Sequence, residues 1–354
     1  MKATTRRQRN LLRAVLCASL IALSLPTALA CTRVLWNNNK LAVVVSRTMD
    51  WPTTTDPIIT VFPRGMKRDG GRIGPHVAVA DNPAHWTSKY GSLVTTVYGV
   101  GTADGFNEKA FAVHMLYLTA TDFGPRDETK LGVQAGLWGQ YLLDNAATVD
   151  EALKLMNEIQ PVMVSVDNMK ATVHLAVEDA TGDSAILEYI DGKLVVHHGH
   201  QYRIMTNDPT YDQQLANRAR YDFTNATRQT VLPGNVDPRD RFVRADYYLQ
   251  MLPEPKSERA AMASILSIAR NVSVPFGAPN NEPGTLYNTE YRTAMDLTNR
   301  FYFFELTTTP NVIWMNMAKL NLKAGAPVLT LDPDDINLSG DVTAKLRPAK
   351  ELPF

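Results

Sequence analysis

Cysteine is scarce in this sequence, and its scarcity limits the kinds of site that the chain can build. The 354 residues contain two cysteines, Cys17 and Cys31. Cys17 lies in an N-terminal segment that we expect to be removed, so that one thiol remains. A single thiol excludes an internal disulfide and a zinc site built on a cysteine pair. A lone remaining cysteine is instead a candidate for a reactive group.

The sequence also lacks an apolar run long enough to cross a membrane as a helix. Its most apolar segment, residues 14–25, follows a basic start without acidic residues. Ala28 and Ala30 form the small-x-small pattern of a signal-peptidase site. We therefore predict that residues 1–30 are an export signal, that the mature chain starts at Cys31, and that the protein is exported, to the periplasm.

An excess of charge of one sign is absent as well. The chain has 36 basic and 36 acidic residues. Removal of residues 1–30 takes away five basic residues and leaves a net charge of about −5. A mildly acidic protein without a basic run is a poor nucleic-acid binder. We expect no nucleic-acid partner, no membrane association after signal cleavage, and a small-molecule ligand.

The order of the predicted elements favours an α+β fold. Apolar and β-branched runs predict strands, and apolar residues at helical spacing predict helices. The strands are predicted at residues 41–47, 57–63, 92–98, 110–118, 171–177, 184–190, 193–196, 289–297, 301–306 and 312–317. The helices are predicted at residues 131–145, 149–159, 241–251 and 257–269, and a turn is predicted at residues 105–109. Blocks of strands and of helices indicate antiparallel sheets with helices layered on them. Residues 31–354 are expected to form one domain with an extended C-terminal tail from Lys323.

The predicted mature N-terminus places three chemical groups in the same region. Cys31 would carry a thiol and a free α-amino group, whose ordinary pKa of about 7.7–8.0 suits a base at neutral pH. Arg47 ends a predicted strand, and we expect its guanidinium to favour ionisation of the thiol. Asp50 follows and could orient the amino group. An ordinary ion pair between Arg47 and Asp50 is the structural alternative.

Five segments resemble the choloylglycine hydrolase family, which contains bile salt hydrolases and penicillin V acylases. They are Cys31-Thr-Arg, Ser46-Arg-Thr-Met-Asp-Trp51, Asp104-Gly-Phe-Asn-Glu-Lys109, Met205-Thr-Asn-Asp-Pro-Thr-Tyr-Asp212, and Leu232-Pro-Gly234 with Arg241-Phe-Val-Arg244. They occur in the family's order. The resemblance implies an N-terminal nucleophile fold, an αββα sandwich of two antiparallel sheets between helix layers. It also implies amide hydrolysis without metal or cofactor, and it suggests a homotetramer.

The resemblance also assigns roles to individual residues. It implies that Cys31 is the nucleophile, that Arg47 lies near its sulfur, and that Asp50 lies near its amine. Asn207 resembles the family's oxyanion-hole asparagine, and Arg241 matches a second active-site arginine. Without the resemblance, Asn207 would be interpreted as a turn residue and Arg241 as a charge on a helix surface.

Tyr117 departs from the bile-salt-hydrolysing members, which carry an asparagine at the matching position. A tyrosine there resembles the penicillin-acylase-like members, and its backbone N–H could still serve the oxyanion. Trp51 and the export signal resemble the Gram-negative branch, which includes enzymes that act on penicillin V and on N-acyl homoserine lactones. We therefore expect one of these substrate classes, with conjugated bile salts as the alternative.

Apolar side chains near these segments predict an apolar acyl-binding site. The expected substrate-binding residues are Met49, Trp51, Phe106 and Met115, with Tyr117 and Phe123 beside them. Ordinary core packing is the alternative for each of them.

Two further interpretations were weighed. His197, His198 and His200 could bind a metal, but the sequence has no accompanying ligand motif, so no metal site is predicted. A lipid-anchored binding protein is the alternative from another class, because Cys31 occupies the position that a lipoprotein acylates. Leu29 is one place late for a lipoprotein signal.

Overall fold

The computed structural model describes residues 30–166, 169–280, 284–309, 311–350 and 354. Residues 1–29 of the predicted signal segment, which ends at Ala30, lie outside the described residues. No helix of the described part is long and apolar enough to cross a membrane.

The first sheet contains the strand that begins at the predicted mature N-terminus. Its eight strands pair antiparallel except for the last two, which are parallel. Along the sheet they are Ile204–Thr206, Ala30–Trp36, Val44–Trp51, Leu286–Asp296, Phe301–Leu306, Ile313–Asn316 and Gly340–Asp341, with Ala278–Pro279 paired to Leu286–Asp296. Ala30–Trp36 therefore lies inside the sheet, with a hydrogen-bonded neighbour on each side.

The second sheet has nine strands, and all of its neighbours pair antiparallel. Along the sheet they are Lys193–His198, Ser184–Ile190, Val173–Glu178, Ala112–Tyr117, Gly101–Asn107, Ser92–Val97, Ile58–Phe62, Leu329–Leu331 and Arg347–Pro348. The C-terminal segment thus contributes strands to both sheets. Four two-stranded ladders lie outside them: Lys67–Asp69 with His85–Thr87, Arg72–Ile73 with His76–Val77, Leu131–Gln134 with Ile159–Val162, and Ser165–Val166 with Met169–Lys170.

Helices cover the outer faces of both sheets. The described α-helices are Trp138–Asn145, Val149–Leu155, Tyr211–Arg218, Pro238–Met251 and Glu258–Asn271, and short 3-10 turns occupy Ala135–Leu137, Met317–Lys319 and Thr343–Lys345. The two 14-residue helices pack on the first sheet, and Trp138–Asn145 packs on the second. Capping residues explain where the two 14-residue helices begin. Asp237 precedes the proline that starts the first of them, and Ser257, before the second, accepts a hydrogen bond from the amide of Ala260.

Alternation along the second sheet shows that both of its faces are buried. Leu93 and Ala112 belong to the core between the sheets, whereas their chain neighbours Val94 and Val113 belong to the core under the Trp138–Asn145 helix. Successive strand residues point to opposite faces, so the second sheet lies between the first sheet and a helix layer. The predicted αββα sandwich is confirmed.

Several predicted boundaries are wrong, including the following three. Residues 131–145 were expected to form one helix, but Leu131–Gln134 is a strand parallel to Ile159–Val162, and the helix begins at Trp138. The next helix ends at Leu155 instead of Ile159. The turn expected at residues 105–109 is shorter, because Gly101–Asn107 is a strand and the chain reverses at residues 108 and 109. Spacing alone did not reveal the long-range pairing that competes with helix formation.

Candidate active site

Strand pairing brings Cys31 and Arg47 together. In the antiparallel register Cys31 lies opposite Met49 and Arg33 lies opposite Arg47, so the four side chains share one face of the first sheet. Arg47 Nη2 lies 3.3 Å from Cys31 Sγ and 3.4 Å from Met49 Sδ. This face is turned toward the second sheet, since Arg47 Nη1 donates to the carbonyl of Ala103 at 3.3 Å.

The Arg47 guanidinium is fully buried, and among the described residues no carboxylate lies within ion-pair distance of it. Burying a cation without a counter-ion costs free energy, so a neighbouring group that can carry negative charge stabilises it. Burial alone lowers the pKa of Arg47, but Cys31, Tyr291 and Asp104 outweigh burial and raise it. Of these three groups, the Cys31 sulfur is the one in hydrogen-bond contact with the Arg47 guanidinium.

The Cys31 thiol is less easily ionised in this chain than the sequence suggested. Cys31 is 1% exposed, and burial raises the pKa of its thiol, although Arg47 acts in the opposite direction. The guanidinium lowers the pKa of the thiol, in the expected direction, but desolvation of the buried sulfur is the larger effect. In this structure Ala30 is still bonded to Cys31, so the charge of a free α-amino group is absent from the balance.

Asp50 approaches Cys31 from the other face of the strand pair. Its position alternates with those of Met49 and Arg47, and its carboxylate accepts hydrogen bonds from Thr48 at 3.0 Å and from Thr289. The pairing with Leu286–Asp296 shifts register between Met49 and Asp50, which indicates a β-bulge at this point. Burial raises the pKa of Asp50, while Arg241 lowers it. Asp50 is thus a buried carboxylate opposite the peptide bond that precedes Cys31.

Arg241 completes the Asp50 side of the site. It projects from the helix Pro238–Met251, lies 3.3 Å from Asp50 Oδ2, and donates to the hydroxyl of Thr32. Its Nη2 is buried and has no hydrogen-bond partner among the described residues. No contact to the Cys31 sulfur is formed, so Arg241 is joined to the site through Asp50 and Thr32.

Asn207 lies where the ladder between Ile204–Thr206 and Ala30–Trp36 would continue to Cys31. The backbone N–H of Cys31 donates to Asn207 Oδ1 rather than to a backbone carbonyl. Asn207 Nδ2 donates in turn to the carbonyl of Tyr117 at 2.6 Å. One Nδ2 hydrogen remains available, so the expected oxyanion role is open to Asn207 in addition to holding the nitrogen of Cys31.

Tyr117 lies across the Asn207 side chain from the nitrogen of Cys31. The amide of the next residue, Leu118, donates to the carbonyl of Thr172 at 2.9 Å. In an antiparallel ladder the neighbouring residue then turns its own N–H and C=O away from that strand. The N–H of Tyr117 therefore points to the side on which its carbonyl meets Asn207, as the sequence-based expectation requires.

An apolar cavity of about 180 Å³ opens beside Cys31. Met49, Trp51, Met115 and Tyr117 line it together with the thiol. The rings of Trp51 and Tyr117 meet edge to face, with centroids 5.9 Å apart. The cavity places four of the expected apolar residues around the sulfur.

Two expected apolar residues lie elsewhere. Phe106 is fully buried in the core between the sheets, where its ring stacks on Tyr302, and it is not part of the cavity wall. Phe123 packs edge to face on Trp138 and Tyr189 in the other core. The expectation that Phe106 binds the acyl group is corrected, since proximity to a motif in sequence did not distinguish cavity wall from core, whereas Phe123 also lines a different cavity.

A buried charge network next to the site was missed by sequence reasoning. Arg33 forms an ion pair with Glu178, and Glu178 Oε1 lies 2.6 Å from His114 Nε2. Asp104 lies 3.8 Å from His114 Nδ1 and accepts a hydrogen bond from Tyr302 at 2.9 Å. All four charged or titratable residues are buried between the sheets. Charged residues at inward strand positions were the available signal.

The histidines weighed as metal ligands lie away from this cavity. Among the described residues, one group with metal-ligand atoms clustered within 4.8 Å comprises Asp150, Asp183 and His198. His198 Nε2 lies 2.7 Å from Asp183, which already forms an ion pair if the histidine is protonated. Exposed groups of this kind are common without an ion, and no metal role is assigned to them.

Two antiparallel sheets between helix layers, with a buried cysteine at the start of an inner strand, define the fold of the N-terminal nucleophile hydrolases. Residues 31–338 match the family described as linear amide C–N hydrolases, choloylglycine hydrolase family. The chain belongs to this family, and it is a hydrolase of linear amide bonds.

The similar proteins include penicillin V acylases and bile salt hydrolases. A penicillin V acylase of Pectobacterium atrosepticum is 36% identical over 97% of this chain and 97% of its own. A structure of penicillin V acylase from Agrobacterium tumefaciens superposes with a TM-score of 0.80 at 40% identity, covering 90% of this chain and 98% of the other. A bile salt hydrolase/transferase of Clostridium perfringens is 24% identical over 78% of this chain and 89% of its own.

Proposed function

We propose that Cys31 is the nucleophile of an exported amidase that cleaves acylated small molecules through a thioester. The observation that carries the proposal is the Cys31 sulfur, 3.3 Å from a buried arginine and on the wall of an apolar cavity. The signal-peptidase pattern at Ala28 and Ala30 and the family match that starts at residue 31 support removal of residues 1–30 and a periplasmic location.

In the acylation step the α-amino group of Cys31 takes the thiol proton while the sulfur attacks the amide carbonyl carbon. A carbon–sulfur bond forms, and the carbonyl oxygen becomes an oxyanion. The carbon–nitrogen bond then breaks, and the amine leaves with the proton. Water attacks the thioester in the second step and releases the acid.

Four side chains assist the two steps. Arg47 stabilises negative charge on the sulfur, and Asp50, held by Arg241, orients the amino group from the other face of the sheet. The free N–H of Asn207 and the backbone N–H of Tyr117 are the proposed oxyanion donors. A donor of this kind is worth about 2.7–4 kcal/mol in transition-state binding.

The acyl half of the substrate occupies the apolar cavity. Trp51 and Tyr117 offer ring surface to a phenoxy group or a flexible acyl chain. Penicillin V and N-acyl homoserine lactones are the proposed substrates, and the name of the 36% identical relative supports penicillin V.

A panel of penicillin V, N-acyl homoserine lactones, glycocholate and taurocholate tests the proposal. We expect hydrolysis of the first two classes by wild type, none by Cys31→Ala, and a severe loss in Cys31→Ser, because a hydroxyl ionises far less readily than a thiol. Iodoacetamide should add one label and abolish activity. Turnover by the fully labelled enzyme would refute the nucleophile.

Conjugated bile salts are a second candidate because several relatives are named bile salt hydrolases. The Tyr117 ring narrows the cavity for a rigid steroid, so we expect kcat/KM for the first two classes to exceed that for bile salts by roughly tenfold, about 1.4 kcal/mol. Tyr117→Asn should reduce this margin. Bile salts as the best substrates of wild type would contradict the proposed role of Tyr117 but not the nucleophile.

A further inference from the structure

One side chain with a full charge lies on the wall of the cavity that contains the Cys31 sulfur. Among the described residues that line this cavity, Lys170 is that side chain, and its neighbours on the wall include Met115, Ala171 and Val173. A charge beside apolar walls acts more strongly than the same charge in open water, because less water screens it. Lys170 is therefore the charged side chain that a ligand meets on this wall of the cavity.

The ammonium group of Lys170 is not neutralised by the described part of the chain. Lys170 is exposed, and no described carboxylate lies within 4.0 Å of its nitrogen. Other surface cations do have such partners: Arg64 pairs with Glu108 at 2.6 Å, and Lys319 pairs with Asp341 at 2.8 Å. An unpaired cation at a binding cavity is free to pair with a ligand.

Lys170 also lines a second, larger cavity of about 800 Å³ on the other side of Tyr117. Thr119, Thr121 and Thr172 make this wall polar. Arg126 lies there too, but its guanidinium is bound to carbonyls of the chain, including that of Lys130 at 2.7 Å. Asp122 is the opposing charge, and it accepts a hydrogen bond from the amide of Gly124 at 2.8 Å.

The two cavities differ in polarity, and so do the two halves of an amide substrate. An apolar acyl group fits the cavity at Cys31, and a polar amine fits the larger cavity, with Tyr117 and Lys170 at the boundary. We propose that Lys170 is a specificity-determining residue that binds an anionic group on the amine half of the substrate. The inference rests on the proposed amidase function and adds to it a preference for substrates whose amine half is anionic.

Matched substrate pairs isolate this charge. Penicillin V is compared with its carboxyl methyl ester, and ring-opened N-hexanoyl homoserine is compared with N-hexanoyl homoserine lactone. Within each pair the acyl group is the same, and one member is anionic. For wild type we expect KM of the anionic member to be lower by roughly threefold to fivefold, the range of an exposed ion pair. Added salt should remove the difference.

Lys170→Ala should abolish the preference by raising KM of the anionic members more than KM of the neutral members. Lys170→Arg should retain the preference. Lys40→Ala, which removes an exposed lysine outside both cavities, is the matched control and should behave as wild type. An equal preference in wild type and Lys170→Ala would overturn the inference, as would no preference in wild type.

A binding arm keeps this test separate from the proposed function. Cys31→Ala is titrated with penicillin V and its methyl ester, with and without Lys170→Ala, and Kd is measured by calorimetry. Tighter binding of the anion that depends on Lys170 supports the inference, and equal Kd values contradict it. If wild type hydrolyses none of the four amides, the proposed function is overturned instead.

Discussion

At the scale of single residues, the site is a balance between burial and charge at one sulfur. Burial raises the pKa of Cys31, and the buried Arg47 guanidinium 3.3 Å away opposes it. The family resemblance predicted that these two residues would meet, and the structure places them on neighbouring strands. It did not predict that burial would prevail, since burial depends on how Tyr291 and the second sheet enclose the pair.

The rate of Cys31 alkylation should report this balance. With residues 1–30 attached and Cys17 replaced by serine, labelling of Cys31 by iodoacetamide should rise with pH and reach its midpoint above the ordinary thiol pKa of about 8.5, because only the thiolate reacts. Arg47→Gln should move the midpoint to still higher pH, because a cation that favours the thiolate is lost. The exposed Arg72→Gln is the control. A lower midpoint in Arg47→Gln would contradict the electrostatic account.

At the scale of elements, local sequence signals predicted strand pairing correctly where the two strands follow each other in the chain. Asp191 and Gly192 both have positive φ, and they join Ser184–Ile190 to Lys193–His198 in the hairpin that the sequence predicts. The signals failed at Leu131–Gln134, whose partner strand is Ile159–Val162. A spacing that suits a helix cannot reveal a pairing partner on the far side of two helices.

Gly105 shows why the predicted turn is shorter. Its φ of +155° favours glycine, and an added Cβ would lie 2.5 Å from the carbonyl oxygen of Leu93. The glycine thus permits close approach within a strand rather than a turn. Gly105→Ala should lower the free energy of unfolding by roughly 1–3 kcal/mol, measured by urea denaturation.

Gly234→Ala is the matched control for this experiment. An added Cβ at Gly234 would meet nothing within 4 Å, so its effect should stay within about 0.5 kcal/mol. Equal stability of the two variants would contradict the packing argument at Gly105.

At the scale of the whole molecule, a buried network joins the sheet that contains Cys31 to the opposite sheet. Arg33 is two residues from Cys31 on the same face, and its ion pair with Glu178 crosses between the sheets. His114 and Asp104 extend the network. The motifs predicted which family and fold the chain adopts, but they did not predict this network, because its members come from four separate strands and no motif unites them.

Glu178 should make stability depend on pH in a defined direction. Burial alone raises its pKa, but Arg33 and His114 outweigh burial and hold the pKa below the ordinary value. A carboxyl whose folded pKa is lowered contributes stability above the unfolded value of about 4.3 and loses it as pH falls through the folded value. Glu178→Gln should lower the free energy of unfolding at pH 7 by about 3–5 kcal/mol, because Arg33 then lacks its carboxylate.

Urea denaturation between pH 7 and pH 3 measures both effects. The loss on acidification should be smaller in Glu178→Gln than in wild type, while the exposed Glu258→Gln should follow wild type. Parallel curves for Glu178→Gln and wild type would show that the network does not carry this pH dependence.

The central claim is that cleavage after Ala30 creates the catalytic group. Ala30 occupies the α-nitrogen of Cys31 in the uncleaved chain, and that nitrogen donates to Asn207 as an amide rather than acting as an amine.

The most direct measurement compares penicillin V hydrolysis by purified chain that retains residues 1–30 with hydrolysis by chain that starts at Cys31, the N-termini being verified by mass spectrometry. We expect turnover only from the chain that starts at Cys31. Equal turnover by the uncleaved chain, or an acylated amine on Cys31 of the active protein, would contradict the claim.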